Sequence, residues 1–125
     1  MPVIRVMGMP NDARELASLV HDLKRCVSEI TELHLTPEQI SVFFPPDLLP
    51  EVRGHELIVC VEGLFAKLER TTPVVNKLSG EIMHVIGKYA VKYLESCQLV
   101  EVFVQSFPQT GSFVTFKDLT KEVRI

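Results

Sequence analysis

The stretch Met1-Pro-Val-Ile-Arg-Val-Met7 decides how the chain is read. Val3, Ile4 and Val6 give it strand character, with Val3, Arg5 and Met7 on one side of the pleat and Ile4 and Val6 on the other. Pro2 stands at the tip. A proline at the first residue of a strand removes no ladder donor, which is reason enough for it to be there. It has a second use if Met1 is trimmed, because the ring nitrogen then changes from an amide into a secondary amine. Model α-amino groups titrate at roughly 7.7–8.0, so modest desolvation or a neighbouring cation leaves such an amine neutral near neutral pH, as a general base requires.

Outward from this strand, Gly8 and Pro10 break the pattern and Asn11 or Asp12 offers an N-cap. Ala13, Leu16, Ala17, Val20, Leu23, Val27 and Ile30 then recur at helical spacing, which predicts an amphipathic helix of about five turns. Thr36-Pro-Glu-Gln39 has turn or short-helix chemistry and leads into a strand over 40–44, stopped by Pro45 and Pro46. A polar loop over 47–56 follows, with a turn of helix around Leu48 and Leu49. The pattern restarts with a strand over 57–61 and a less regular passage over 64–70. Thr71 or Thr72 as N-cap with Pro73 at the first helical position starts a second helix, which ends near Leu94. Gly80 and Gly87 inside it are expected to mark close packing against a sheet. A fourth strand covers 99–105, and a turn over 108–111 with a short strand over 113–116 precedes a charged tail.

Composition sets limits on function. A chain of 125 residues with 46% hydrophobic content can bury a core, and a single domain over 1–125 is expected. Net charge −3 and the absence of basic runs argue against nucleic acid as partner. No signal-like or membrane-spanning segment is visible, so a soluble cytoplasmic protein is expected. Cys26, Cys60 and Cys97 form no C-x-x-C pair; they read as reduced thiols, with Cys26 and Cys60 as small core residues. The four histidines are equally scattered, so no metal site is expected, and no cofactor is implied.

The predicted order is βαβ, loop, βαβ and a hairpin-like tail, with pseudo-repeats over 2–46 and 57–107 and the tail over 108–125. The fold class is α+β: a four-stranded sheet with two helices on one face. Two architectures fit, the ferredoxin-like split βαβ and a pseudo-symmetric doubled βαβ. In both, one sheet face needs a cover. Val3, Met7, Val59, Val61, Val102 and Val104 are assigned to it, which predicts subunit association.

Met-Pro2 running directly into strand one, the Thr-Pro-x-x-Ile-x-Val entry into strand two and the second βαβ of matching size resemble the tautomerase superfamily. That group includes the macrophage migration inhibitory factor and 4-oxalocrotonate tautomerase families. The layout covers about the first 107 residues and is most similar to a bacterial branch of unknown function. The resemblance implies a homotrimer in which Pro2 moves a proton on a small keto or enol carboxylic acid, with cations holding the carboxylate. This sequence departs from the family pattern at several positions. The second-strand arginine falls near Ser41, no arginine follows Gly8, the lysine before strand two falls near Leu35 or Thr36, and the fourth-strand tyrosine and asparagine fall near Phe103 and Gln105.

Arg5, Lys67 and Arg70 are the replacement cations, from this or an adjoining subunit, with Phe103 and Gln105 as further substrate contacts; Lys117 is a fourth candidate cation. Each has a plainer explanation. Arg5 in a strand needs a partner, and Glu62 or Glu101 would supply a salt bridge. Lys67 and Arg70 read as surface charges ahead of a helix N-terminus, and Phe103 as core. The alternative to an enzyme is a non-catalytic ligand-binding or structural oligomer of the same fold.

Overall fold

The computed structural model describes residues 1–49, 54–65 and 67–107; the turn, strand and tail expected over 108–125, with Lys117, lie outside them. In chain order the elements are β1 (Val3–Met7), α1 (Leu16–Ser28), short 3-10 turns at Thr31–Leu33 and Pro37–Gln39, β2 (Ser41–Phe43), β3 (Glu56–Phe65), α2 (Thr72–Tyr93) and β4 (Leu99–Phe107). The sheet order is β2-β1-β3-β4. β1 pairs parallel with β2, antiparallel with β3, and β3 pairs parallel with β4. The two strands joined by each helix are therefore hydrogen-bonded neighbours. A split βαβ would insert a strand between them, so the ferredoxin-like alternative is excluded.

Both helices contribute to the same apolar core as one side of the sheet. Leu19, Leu23 and Val27 of α1 and Leu78, Ile82 and Ile86 of α2 are buried with Ile4, Val6, Leu57, Val59 and Val61. Burying each such side chain is worth about 1.5–3 kcal/mol of transfer free energy, which is what holds α1 and α2 to one face. The Tyr89 hydroxyl donates to the Arg14 carbonyl and so fastens α2 to the segment leading into α1.

Several expectations need correction. Directly opposed residues share a sheet face, and Ile4 is opposite Val61 while Val6 is opposite Val59. Val59 and Val61 therefore lie on the helix side, as do their β4 partners Val102 and Val104, which pack against the core. The open face instead carries Val3, Met7, Phe43, Ile58, Cys60, Leu99 and Phe103 interleaved with the charged Arg5, Glu56, Glu62 and Glu101. α1 is shorter than expected because Asn11 and Asp12 lie in a turn and Glu15 takes a left-handed conformation (φ 59°) that no helix continues through. Ile30 reaches the core from beyond the helix end. No helical turn forms at Leu48 and Leu49, both exposed. Gly80 and Gly87 face open space, with nothing within 4 Å of a Cβ added at either, so sheet packing does not account for them.

Candidate functional site

Strand directions gather most of the candidate residues at one end of the sheet. β1 and β2 are parallel and both begin there; β3, antiparallel to β1, ends there together with β4. Pro2 precedes β1 and is buried, continuing the alternation of Ile4 and Val6. Its carbonyl accepts from the Ser41 N–H at 3.2 Å, which fixes the start of β1 against the start of β2. From the other side comes Gly63, at the irregularity between Val61 and Leu64 of β3. Its φ is 74°, and a Cβ there would stand 2.8 Å from the Met1 carbonyl oxygen and 3.5 Å from Pro2 Cα. Only glycine accommodates both the left-handed backbone and so close a neighbour. A glycine inside a strand pattern is the sequence signal for such an approach, and Gly63 carried it.

Lys67 is exposed in the link from β3 to α2 at the same end. Arg70 is half-buried, its Nη2 donates to the Leu33 carbonyl at 3.2 Å, and desolvation lowers its pKa. It thus ties this link to the Thr31–Leu33 turn. Thr71 is the N-cap of α2 as expected, and Pro73 is its second residue, one later than expected, because the helix begins at Thr72.

Arg5 lies three residues along β1 from Pro2, on the opposite side of the pleat and about 10 Å away at 3.3 Å per residue. It forms a salt bridge with Glu62, not with Glu101. Glu101 is drawn toward Glu56, whose hydrogen bond and charge hold its pKa above the usual carboxylate range. Arg5 and Glu62 line a concavity of about 560 Å³ along the outer edge of β4. Its open-face part consists of Arg5, Cys60, Glu62, Phe103 and Gln105; Val75, Asn76, Ser79, Val102 and Val104 line the helix side. The structure brings Arg5, Phe103 and Gln105 together there, while Pro2, Lys67 and Arg70 do not line it. Phe103 is half exposed rather than core, and Cys60, opposite Arg5, is on the open face rather than in the core. The Cys26 thiol, by contrast, packs against the core, and burial pushes its pKa up to about 11. Such a thiol is a poor nucleophile near neutral pH.

Among the described residues no group of three or more His, Cys, Asp and Glu side chains is placed to hold a metal, and no helix is long and apolar enough to cross a membrane. Neither a protein-family model nor a curated protein matches the sequence. Solved structures do match. A wild-type fused 4-OT described as an asymmetric trimer superposes with a TM-score of 0.66 at 14% identity, covering 94% of this chain and 98% of that one. A malonate semialdehyde decarboxylase inhibited by 3-bromopropiolate gives 0.61 at 13% identity, with 98% of both chains covered. A 5-carboxymethyl-2-hydroxymuconate isomerase from Deinococcus radiodurans gives 0.58 at 11% identity, covering 91% and 88%.

Proposed function

Starting from a chain with the tautomerase fold, we propose that it is a tautomerase-like isomerase that moves a proton on a small keto or enol carboxylic acid. Removal of Met1 turns the Pro2 nitrogen into the secondary amine that acts as general acid and base. Because Arg5 and Pro2 of one chain lie about 10 Å apart on opposite sides of the pleat, the Arg5 that holds the carboxylate, with Phe103 and Gln105 flanking the ligand, is that of an adjoining subunit, and Lys67 and Arg70 add positive potential at the Pro2 end. The observation that carries the reading is the hold on the terminus: the Ser41 N–H donates to the Pro2 carbonyl, so Pro2 stays tied to the start of β2 after Met1, which packs against Gly63, is removed. An amine held in this way is oriented before substrate arrives, which is where proximity effects gain their size.

The test is intact-mass measurement followed by kinetics. The purified protein is expected to begin at Pro2 and to ketonise enolic phenylpyruvate, and Pro2→Ala is expected to abolish that turnover while leaving the fold unchanged by circular dichroism. Retained Met1, or equal turnover in the variant, overturns the proposal.

A second reading, a non-catalytic ligand-binding or structural oligomer, is favoured by one observation: the Arg5 guanidinium is already engaged by Glu62. No turnover across a set of enol and dienol acids, together with ligand binding indifferent to Pro2→Ala, selects it. In either case the exposed Phe43, Leu99 and Phe103 on the open face support subunit association, for which we propose a homotrimer, and the free thiols of Cys26, Cys60 and Cys97 support a reducing, cytoplasmic setting.

A further inference from the structure

Across the β1/β3 ladder Arg5 is opposite Cys60 and Val3 is opposite Glu62, so Arg5 and Glu62 are diagonal neighbours on the open face. Their side chains are 41% and 35% exposed, within reach of a solute entering the concavity. The pairing uses an Nη of Arg5; its Nε is buried with no acceptor among the described residues and out of a solute's reach, so a ligand would meet the exposed part of the guanidinium. A guanidinium is a planar fork suited to a carboxylate. Here the fork is only partly used, and the carboxylate on it belongs to the chain itself.

We propose that Glu62 is a resident competitor that sets the ligand class of this site. The concavity prefers acids carrying a hydroxyl next to the carboxylate, namely 2-hydroxy acids and enol tautomers, over acids without one. A ligand carboxylate that arrives at Arg5 must either displace Glu62 or share the guanidinium with it. Sharing brings two carboxylates together, which is unfavourable unless the ligand offers Glu62 something in return. An ionised carboxylate only accepts hydrogen bonds. A hydroxyl one carbon from the ligand carboxylate meets that need, donating to Glu62 while the carboxylate accepts from Arg5. A keto oxygen at the same place is a second acceptor and gives Glu62 nothing. Phe103, half exposed and paired with Cys60, provides an apolar wall for the rest of the ligand. The inference rests on Arg5 being the carboxylate anchor of the proposed function and is independent of the chemistry at Pro2.

The test is calorimetric titration with phenyllactate and with 3-phenylpropanoate, neither of which tautomerises. The unsubstituted protein is expected to bind phenyllactate about tenfold more tightly, the value of one hydrogen bond to a charged group. In Glu62→Gln, 3-phenylpropanoate is expected to gain about fivefold, on the scale of an exposed ion pair released, and the hydroxyl preference to disappear. Equal affinities in the unsubstituted protein, no gain in a Glu62→Gln protein of unchanged circular dichroism, or no binding of either acid to either protein overturns the proposal. If Glu62→Gln does not fold, Glu62→Asp, which retracts the carboxylate from Arg5, carries the same expectation in smaller measure. Absent turnover with the hydroxyl preference intact sinks the proton-transfer reading alone. Turnover with no preference sinks this inference alone.

Discussion

A Cβ added at Gly63 would stand 2.8 Å from the Met1 carbonyl oxygen, so the demand for glycine there comes from Met1 as well as from the left-handed backbone. Gly63→Ala adds a left-handed backbone penalty of about 1–2 kcal/mol in any form of the protein, because the Cβ of an L-residue crowds its own carbonyl there. While Met1 is present the new methyl also collides with the Met1 carbonyl oxygen. Once Met1 is gone, the one of the methyl's three closest neighbours that remains is Pro2 Cα at 3.5 Å, an ordinary contact. Urea denaturation of Gly63→Ala is therefore expected to show a larger loss in the Met1-bearing protein than in the Met1-free one; equal losses would mean that the terminus is not held against β3. At this scale the sequence was partly legible. Arg5 stood out as a charge in an apolar strand, and the need for a carboxylate partner followed. The choice between Glu62 and Glu101 did not, because period-two alternation sorts residues into two faces without saying which face is covered or what is paired across the ladder. Cys60 was misplaced for the same reason: it sits in an apolar run whose phase was unknown until β3 was set against β1.

Among the elements, α2 was the most legible and α1 the least. Thr71, Pro73 and a long apolar stripe fix the bounds of α2 through local chemistry alone. α1 has as good a stripe, but its start is set by the left-handed Glu15, and no side-chain pattern signals that conformation in a residue of this type. Ala13 and Ile30 kept the spacing beyond both ends because they pack against the same core from turns. The glycines of α2 give a direct test of helix energetics. With nothing within 4 Å of an added methyl, Gly80→Ala and Gly87→Ala are each expected to stabilise the fold by about 1 kcal/mol, read as a higher urea midpoint. A loss in either would mean that another body occupies that space in the assembled protein.

For the whole molecule, the doubled strand-helix-strand order was readable because each unit announces its own turns and periods. The face left open was not, since its composition depends on register. That face presents Phe43 at 54%, Phe103 at 51% and Leu99 at 50% exposure. Native mass measurement is expected to give about three times the 14.1 kDa chain, and Phe43→Ser or Leu99→Glu to shift the species toward a single chain. A single chain in the unsubstituted protein would overturn the trimer.

The antiparallel seam between β1 and β3 also governs counting. It turns the second strand-helix-strand unit end for end against the first, so every chain has two sheet ends of similar build. One of them opens at Pro2, where a chain terminus can supply an amine; the other opens at Glu56, in mid-chain, where the nitrogen is always an amide. With Met1 removed, an assembly of any size would hold as many proline amines as chains and twice as many ends. Half of those ends lack a terminal amine by connectivity alone, so any acid–base chemistry there would have to come from side chains.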